Sequence, residues 1–150
     1  MSVEQTLLGR AGGEGSFGPL TLDRIRGRLR DFPEINDSGR YEWPMKEIIQ
    51  AILDPIEYYN ETPPYSDAFT VSNFPYRQRY LDAVVSRLMI CQAHGLLRNQ
   101  FTVQGEGVQM DNRDRNARIM QVADQLWNDY RQFVHADKSR RNAAMSYRSF

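Results

Sequence analysis

"RIMQVADQLWNDYRQFVHAD", residues 118–137, carries the clearest periodicity in the chain. Ile119, Val122, Ala123, Leu126, Trp127, Tyr130, Phe133 and Val134 recur at spacings of three and four. Apolar groups spaced this way fall on one side of an α-helix and need other elements to cover them. The stretch predicts a long helix with its stripe turned into a helical core. Trp127, Tyr130 and Phe133 are assigned to that core rather than to a ligand box, because a stripe at helical spacing is most often packing surface.

Asp111 is the expected cap of this helix. Just before it, "FTVQGEGVQM" (101–110) alternates apolar and polar residues around two glycines, the pattern of a β-hairpin. With a QGEG turn tipped by Glu106, Val103 would face Val108 and Phe101 would face Met110. A lone hairpin is marginally stable, so this one must lean on the helices or on a neighbouring copy of the chain.

Further upstream, Pro75 suits the start of a second long helix, with Tyr80, Leu81, Val84, Val85, Leu88 and Met89 as its stripe and "HGLLRN" (94–99) as its stop. A third helix follows Pro44, lined by Ile48, Ile49, Ile52, Leu53 and Ile56, with Pro55 expected to kink it or end its regular part. "NETPPYSDAFTVSNFP" (60–75) joins these two helices as a loop held extended at Pro63 and Pro64. A short helix capped by Thr21 uses Leu22, Ile25 and Leu29 and ends near the turn-rich "DFPEINDSGRY" (31–41). "GRAGGEGSFGPL" (9–20) holds five glycines and reads as a flexible arm.

The expected fold is therefore mainly α: a bundle of three to four helices with a small β-hairpin insertion and extended N- and C-terminal arms. The expected boundaries are an arm over 1–20, a helical domain over 21–137 with the hairpin near 100–110, and an extended tail over 138–150.

That tail, "KSRRNAAMSYRSF", holds four cations and no acid, while the whole chain of 150 residues balances nineteen basic against nineteen acidic side chains. The first 137 residues thus carry a net charge of −4. Such asymmetry points to a segment with its own partner. Arg outnumbers Lys seventeen to two, and the planar guanidinium favours bidentate interface contacts.

Composition narrows the chemistry. Cys91 is the one cysteine, which excludes an internal disulfide and a cysteine-built metal site. No apolar run approaches the roughly 20 residues that cross a bilayer, and the N-terminal residues lack a basic segment followed by an apolar one. A soluble protein made in the cytosol, with no membrane partner, is expected. Cys91 and His94 are three residues apart on a helix, too few ligands for zinc and without the third group that a Cys–His nucleophile needs. His135 has no ligand-spaced companion. The carboxylate pairs Asp111/Asp114 and Asp124/Asp129 lie among Arg113, Arg115, Arg118 and Arg131, which suits a solvated ion-paired face. The glycines form no phosphate-binding pattern. No catalytic, cofactor or metal residues are expected, nor an enzyme. Arg140, Arg141 and Arg148 with Tyr147 and Phe150 could bind phosphates and stack on bases, but the acidic body and the lack of a dense basic helix face weigh against a nucleic-acid reader.

The order of motifs adds a further reading. "EIIQAILDPIEYYNETPP", the helix ending "HGLLRN", the hairpin, and the helix ending "HADKSRRN" together resemble the head–tail adaptor, or connector, proteins of tailed bacteriophages. The resemblance covers residues 43–150 and rests on "YNETPP" (59–64), Arg98 and Asn99 before the hairpin, and "KSRRN" (138–142). Where the family often has a glycine-containing tail, this chain has "NAAMSYRSF".

The resemblance implies a structural virion protein in the phage neck, made in the host bacterial cytoplasm. It implies a ring, commonly of twelve copies, that sits beneath the portal protein, extends the channel through which genomic DNA leaves without specific binding, and contacts the next neck or tail protein. On this reading the tail docks into the portal through Lys138, Arg140, Arg141, Met145, Tyr147, Arg148 and Phe150. The hairpin residues Phe101, Val103, Glu106, Val108 and Met110 would bridge subunits. A stopper or tail-completion protein, and a small nucleic-acid-binding regulatory domain, are the alternatives.

Overall fold

A computed structural model describes residues 20–36, 38–65, 68–100 and 109–148, with the backbone alone for residues 97–100, 109–114 and 148. Four helices occur among them: α1 (Leu22–Leu29), α2 (Met45–Glu61), α3 (Arg77–Gln100) and α4 (Gln109–Arg148). The chain is mainly helical, as its periodicities predict, and no strand occurs among the described residues.

Thr21 caps α1, its side chain accepting from the Arg24 N–H at 3.4 Å. The helix closes at Arg30, which adopts φ 55° in the left-handed region. The N–H of Asp31 returns to the Arg26 carbonyl and that of Arg30 to Gly27, so two carbonyls that the helix end would orphan are satisfied. The loop to α2 folds around the buried Asp31 carboxylate, which accepts from Arg26, from the Asn36 amide and from the Glu42 N–H.

α2 starts one residue after Pro44 and continues through Pro55 to Glu61. A helix tolerates an interior proline when its face is well packed, and here Ile48, Ile52, Pro55, Ile56 and Tyr59 are all buried. Two tyrosines add hydrogen bonds around the proline: the Tyr80 hydroxyl donates to the Ile52 carbonyl at 2.8 Å and that of Tyr130 to the Pro55 carbonyl at 2.7 Å. Carbonyl oxygens have two lone pairs, so both bonds add to the helix's own. Thr62 ends the helix, its N–H and hydroxyl both directed at the Tyr58 carbonyl, ahead of the proline pair.

α3 is the central element and packs against α1, α2 and α4. Tyr80, Leu81, Val84, Val85 and Leu88 are buried, as their spacing predicts. Trp43 reaches in from the loop and donates to the Leu88 carbonyl. α3 and α4 approach closely because Ala83, Ser86, Ala93 and Ala123 are small and buried, and the Ser86 hydroxyl donates to the Ala123 carbonyl at 2.8 Å.

Several expectations change. "HGLLRN" does not stop α3, which runs through Gly95 to Gln100; the ~1 kcal/mol cost of an interior glycine is offset by packing such as that of Ala93. The hairpin is not supported. Phe101, Val103, Glu106 and Val108 lie outside the described residues, while Met110, expected on the return strand, belongs to the first turn of α4. The good helix formers Gln109, Met110 and Arg113 favour that outcome. Of the expected N-terminal arm, Leu20 is buried in the core and residues 1–19 lie outside the described residues. Val122, expected in the core stripe, is exposed. Ala123, Tyr130 and Val134 are buried, while Leu126, Trp127 and Phe133 pack against the core from its edge.

The C-terminal segment is not extended through residue 148. Residues 138–148 continue α4 without a break. Arg140, Arg141, Ala143, Ala144 and Met145 are strong helix formers, and neither glycine nor proline interrupts them.

Candidate functional site

The segment singled out by its charge divides into two parts with different surroundings. Its base is locked into the bundle by Asp137, one helical turn before Arg140 and Arg141. The Asp137 side chain is 1 % exposed and accepts four hydrogen bonds. The Tyr76 hydroxyl donates to Oδ1 at 2.6 Å and that of Tyr59 to Oδ2 at 2.7 Å. Arg140 reaches Oδ1 at 2.6 Å and Arg141 Nε reaches Oδ2 at 2.8 Å. Arg141 also donates to the Tyr76 oxygen at 3.0 Å.

Burial alone would push the Asp137 carboxyl up; the bonds from Tyr76, Tyr59, Arg141 and Arg140 outweigh it and hold the group at about 2. The Tyr59 phenol moves the other way, raised by burial and by its bond to Asp137. Lys138 is fully buried: its ammonium donates to the Pro64 carbonyl at 3.2 Å and lies 4.4 Å from the centre of the Tyr59 ring. The carbonyl and the aromatic face both offset the cost of burying this cation.

The aromatic side chains around the cluster form a connected set. Tyr59, Phe69 and Phe74 meet edge to face at 5.2–5.5 Å, and Tyr76 meets Phe133 at 4.8 Å. Asn60 exchanges two 2.8 Å hydrogen bonds with the Phe69 backbone, which fixes the loop after α2 over the cluster. Lys138, Arg140 and Arg141 are thus structural contacts that join α4 to α2 and to the segment before α3. They were legible only in part: the Asp137, Arg140, Arg141 spacing signals ion pairs within one helix, but nothing in the sequence links them to Tyr59 or Tyr76.

Beyond Arg141 the surroundings change. Residues 142–147 are all exposed, and Tyr147 is 85 % exposed. Met145 is exposed as well. The Arg148 side chain and Phe150 lie outside what the structure describes. The helix end therefore presents an apolar and an aromatic side chain to solvent, with no acid among residues 138–150.

Among the described residues no group of side chains converges on a reactive centre. Cys91 is exposed, and surrounding protein together with Glu47 and Asp54 pushes its thiol up, against thiolate formation. His135 lies 3.4 Å from the Tyr58 hydroxyl, at the edge of a cluster in which Trp127 carries the Arg87 guanidinium 3.7 Å above its ring. Among the described residues no group of three or more His, Cys, Asp or Glu is placed to hold a metal ion, and no helix is long and apolar enough to cross a membrane.

No family model matches the chain, and no curated protein or solved structure matches it either.

Proposed function

We propose that this chain is a structural adaptor of a bacteriophage neck, forming a ring beneath the portal and docking to it through the end of α4. The motif order described above motivates the reading. The observation that carries it is the division of the cationic segment, with its base anchored through Asp137 and its tip displaying Met145 and Tyr147 on an exposed helix end. An apolar and an aromatic side chain on a preformed helix suit insertion into a groove of a larger partner. In a ring, each docking contact can be modest because many act together. The engagement of Arg140 and Arg141 with Asp137 weighs against a nucleic-acid partner, since those guanidiniums already have an anion.

The test is co-sedimentation with the portal ring encoded in the same genome. The full-length chain is compared with one ending at Asn142 and with a Met145→Ala, Tyr147→Ala variant, all of which keep the Asp137 cluster. Binding by the full-length chain and its loss in both variants is the expected result. Equal binding by all three overturns the docking role of the tip, and no binding by the full-length chain overturns the adaptor reading.

A further inference from the structure

The contact between α3 and α4 changes character along its length. Around Ser86 and Ala123 it adjoins the bundle core, to which α3 contributes side chains as far as Met89 and α4 from Leu126 onward. Two turns further toward the α3–α4 connection, about 10 Å along each axis, the same helix faces carry Ala93 and Asn116. Both are buried, at 0 % and 5 % exposure. Among the described residues they are the only buried side chains of α3 after Leu88 and of α4 before Ala123.

Asn116 departs from the way this protein treats its other buried polar groups. Asp31 and Asp137 are surrounded by donors, and the hydroxyls of Tyr59, Tyr80, Ser86 and Tyr130 each reach an acceptor. Arg87 Nε lacks a hydrogen bond, but the Asp54 carboxylate compensates its charge at 3.6 Å. The Asn116 amide offers an acceptor oxygen and a nitrogen with two donors, and neither Oδ1 nor Nδ2 has a hydrogen-bond partner among the described residues.

A buried amide in this state has given up its water and gained no hydrogen bond in return. Water restores those bonds as soon as the two helices part. Against that, closure at this level fully buries one apolar side chain among the described residues, the methyl of Ala93, and covers Ile90 and Ile119 only in part. The backbone of α3 is weak at the same place. Gly95 is exposed within the helix, nothing described lies within 4 Å of the position a Cβ would take there, and Leu96 beside it is exposed too. Glycine in a helix interior favours the unfolded backbone.

We infer that α3 and α4 part at the level of Ala93 and Asn116, as a built-in opening unit, while the bundle around Val84, Leu88, Tyr130 and Val134 stays closed. The Asn116 amide sets how often this happens, because opening hydrates it and closing strips it. Each opening presents the facing sides of two helices, with a free amide on one of them. The device goes beyond the adaptor reading and holds or fails whatever the portal experiment returns.

The experiment is native-state hydrogen exchange on the full-length chain, followed residue by residue at low urea concentrations. In wild type, the amides of residues 94–96 and 116–119 are expected to exchange through an opening at least about a hundredfold more frequent than that of residues 84–88 and 130–134. Their exchange should depend little on urea, since a local opening exposes little surface. Asn116→Leu keeps a similar volume and removes the unpartnered amide, and is expected to slow exchange at 94–96 and 116–119 by at least about tenfold. Asn116→Ala, which adds no volume, should act in the same direction. A single rate and urea dependence shared by the α3–α4 end and the bundle overturns the inference, as does exchange at the end that neither substitution slows.

Discussion

The Tyr59 hydroxyl donates to Asp137 Oδ2 across 2.7 Å, joining residues 78 apart in sequence at a point where both are buried. Around that bond, Tyr76, Arg140 and Arg141 complete the carboxylate's shell. One acid therefore ties α4 to α2 and to the start of α3. Replacing it with an amide, Asp137→Asn, keeps the volume but removes the carboxylate's negative charge from beside the guanidiniums and leaves one amide nitrogen facing donors. A loss of about 3 kcal/mol is expected, measured by urea denaturation, together with faster amide exchange over residues 138–148.

Acid should unfold the protein through the same group. The Asp137 carboxyl lies at about 2 in the folded chain against an ordinary 3.8. A depressed carboxylate contributes stability that is fully present above its unfolded value and is lost as pH falls through its folded value. About 2 kcal/mol is expected to disappear between about pH 4 and pH 2. Denaturation curves across that window should show the loss in wild type and a smaller one in Asp137→Asn.

Truncations separate the two parts of the C-terminal segment. A chain ending at Asn142 keeps every bond to Asp137 and should unfold within about 0.5 kcal/mol of wild type, because residues 143–147 are exposed. A chain ending at Asp137 loses Arg140, Arg141 and the buried Lys138, and should be less stable by at least about 2 kcal/mol. Similar melting temperatures for the two truncations would contradict the division of the segment.

Arg30 closes α1 at φ 55°, a conformation that costs a side chain roughly 1 kcal/mol and costs glycine almost nothing. Arg30→Gly should raise stability by a few tenths to about 1 kcal/mol, after the greater freedom of glycine in the unfolded chain is offset. Thermal unfolding measures it, and a lower melting temperature would refute the strain argument.

The hydroxyls that Tyr80 and Tyr130 place on α2 carbonyls near Pro55 are buried, and burial raises both phenols above their ordinary value. Tyr80→Phe and Tyr130→Phe should each cost about 1 kcal/mol. Tyr58→Phe, whose hydroxyl is exposed and meets His135 and Arg131 at 3.4 and 3.3 Å, should cost less.

The sequence by itself determined the helical class, where each helix begins to within a few residues, and most of the core, but not that α4 continues past residue 137 to Arg148. Tyr80, Val84 and Leu88 on α3, and Ala123, Tyr130 and Val134 on α4, are buried where a period of 3.6 puts them. That part was legible because one face of a helix is a local property, set by residues three and four apart. Tertiary structure decided what spacing does not encode. Val122 fits the stripe yet is exposed, because the width of a buried face depends on which neighbour covers it. Tail composition suggested a free arm, but Arg140 and Arg141 meet an acid one turn back whose other partners, Tyr59 and Tyr76, come from distant segments. A charge pattern read along the chain cannot show whether a cation is spare or already paired, since pairing depends on distances that exist only once the chain has folded.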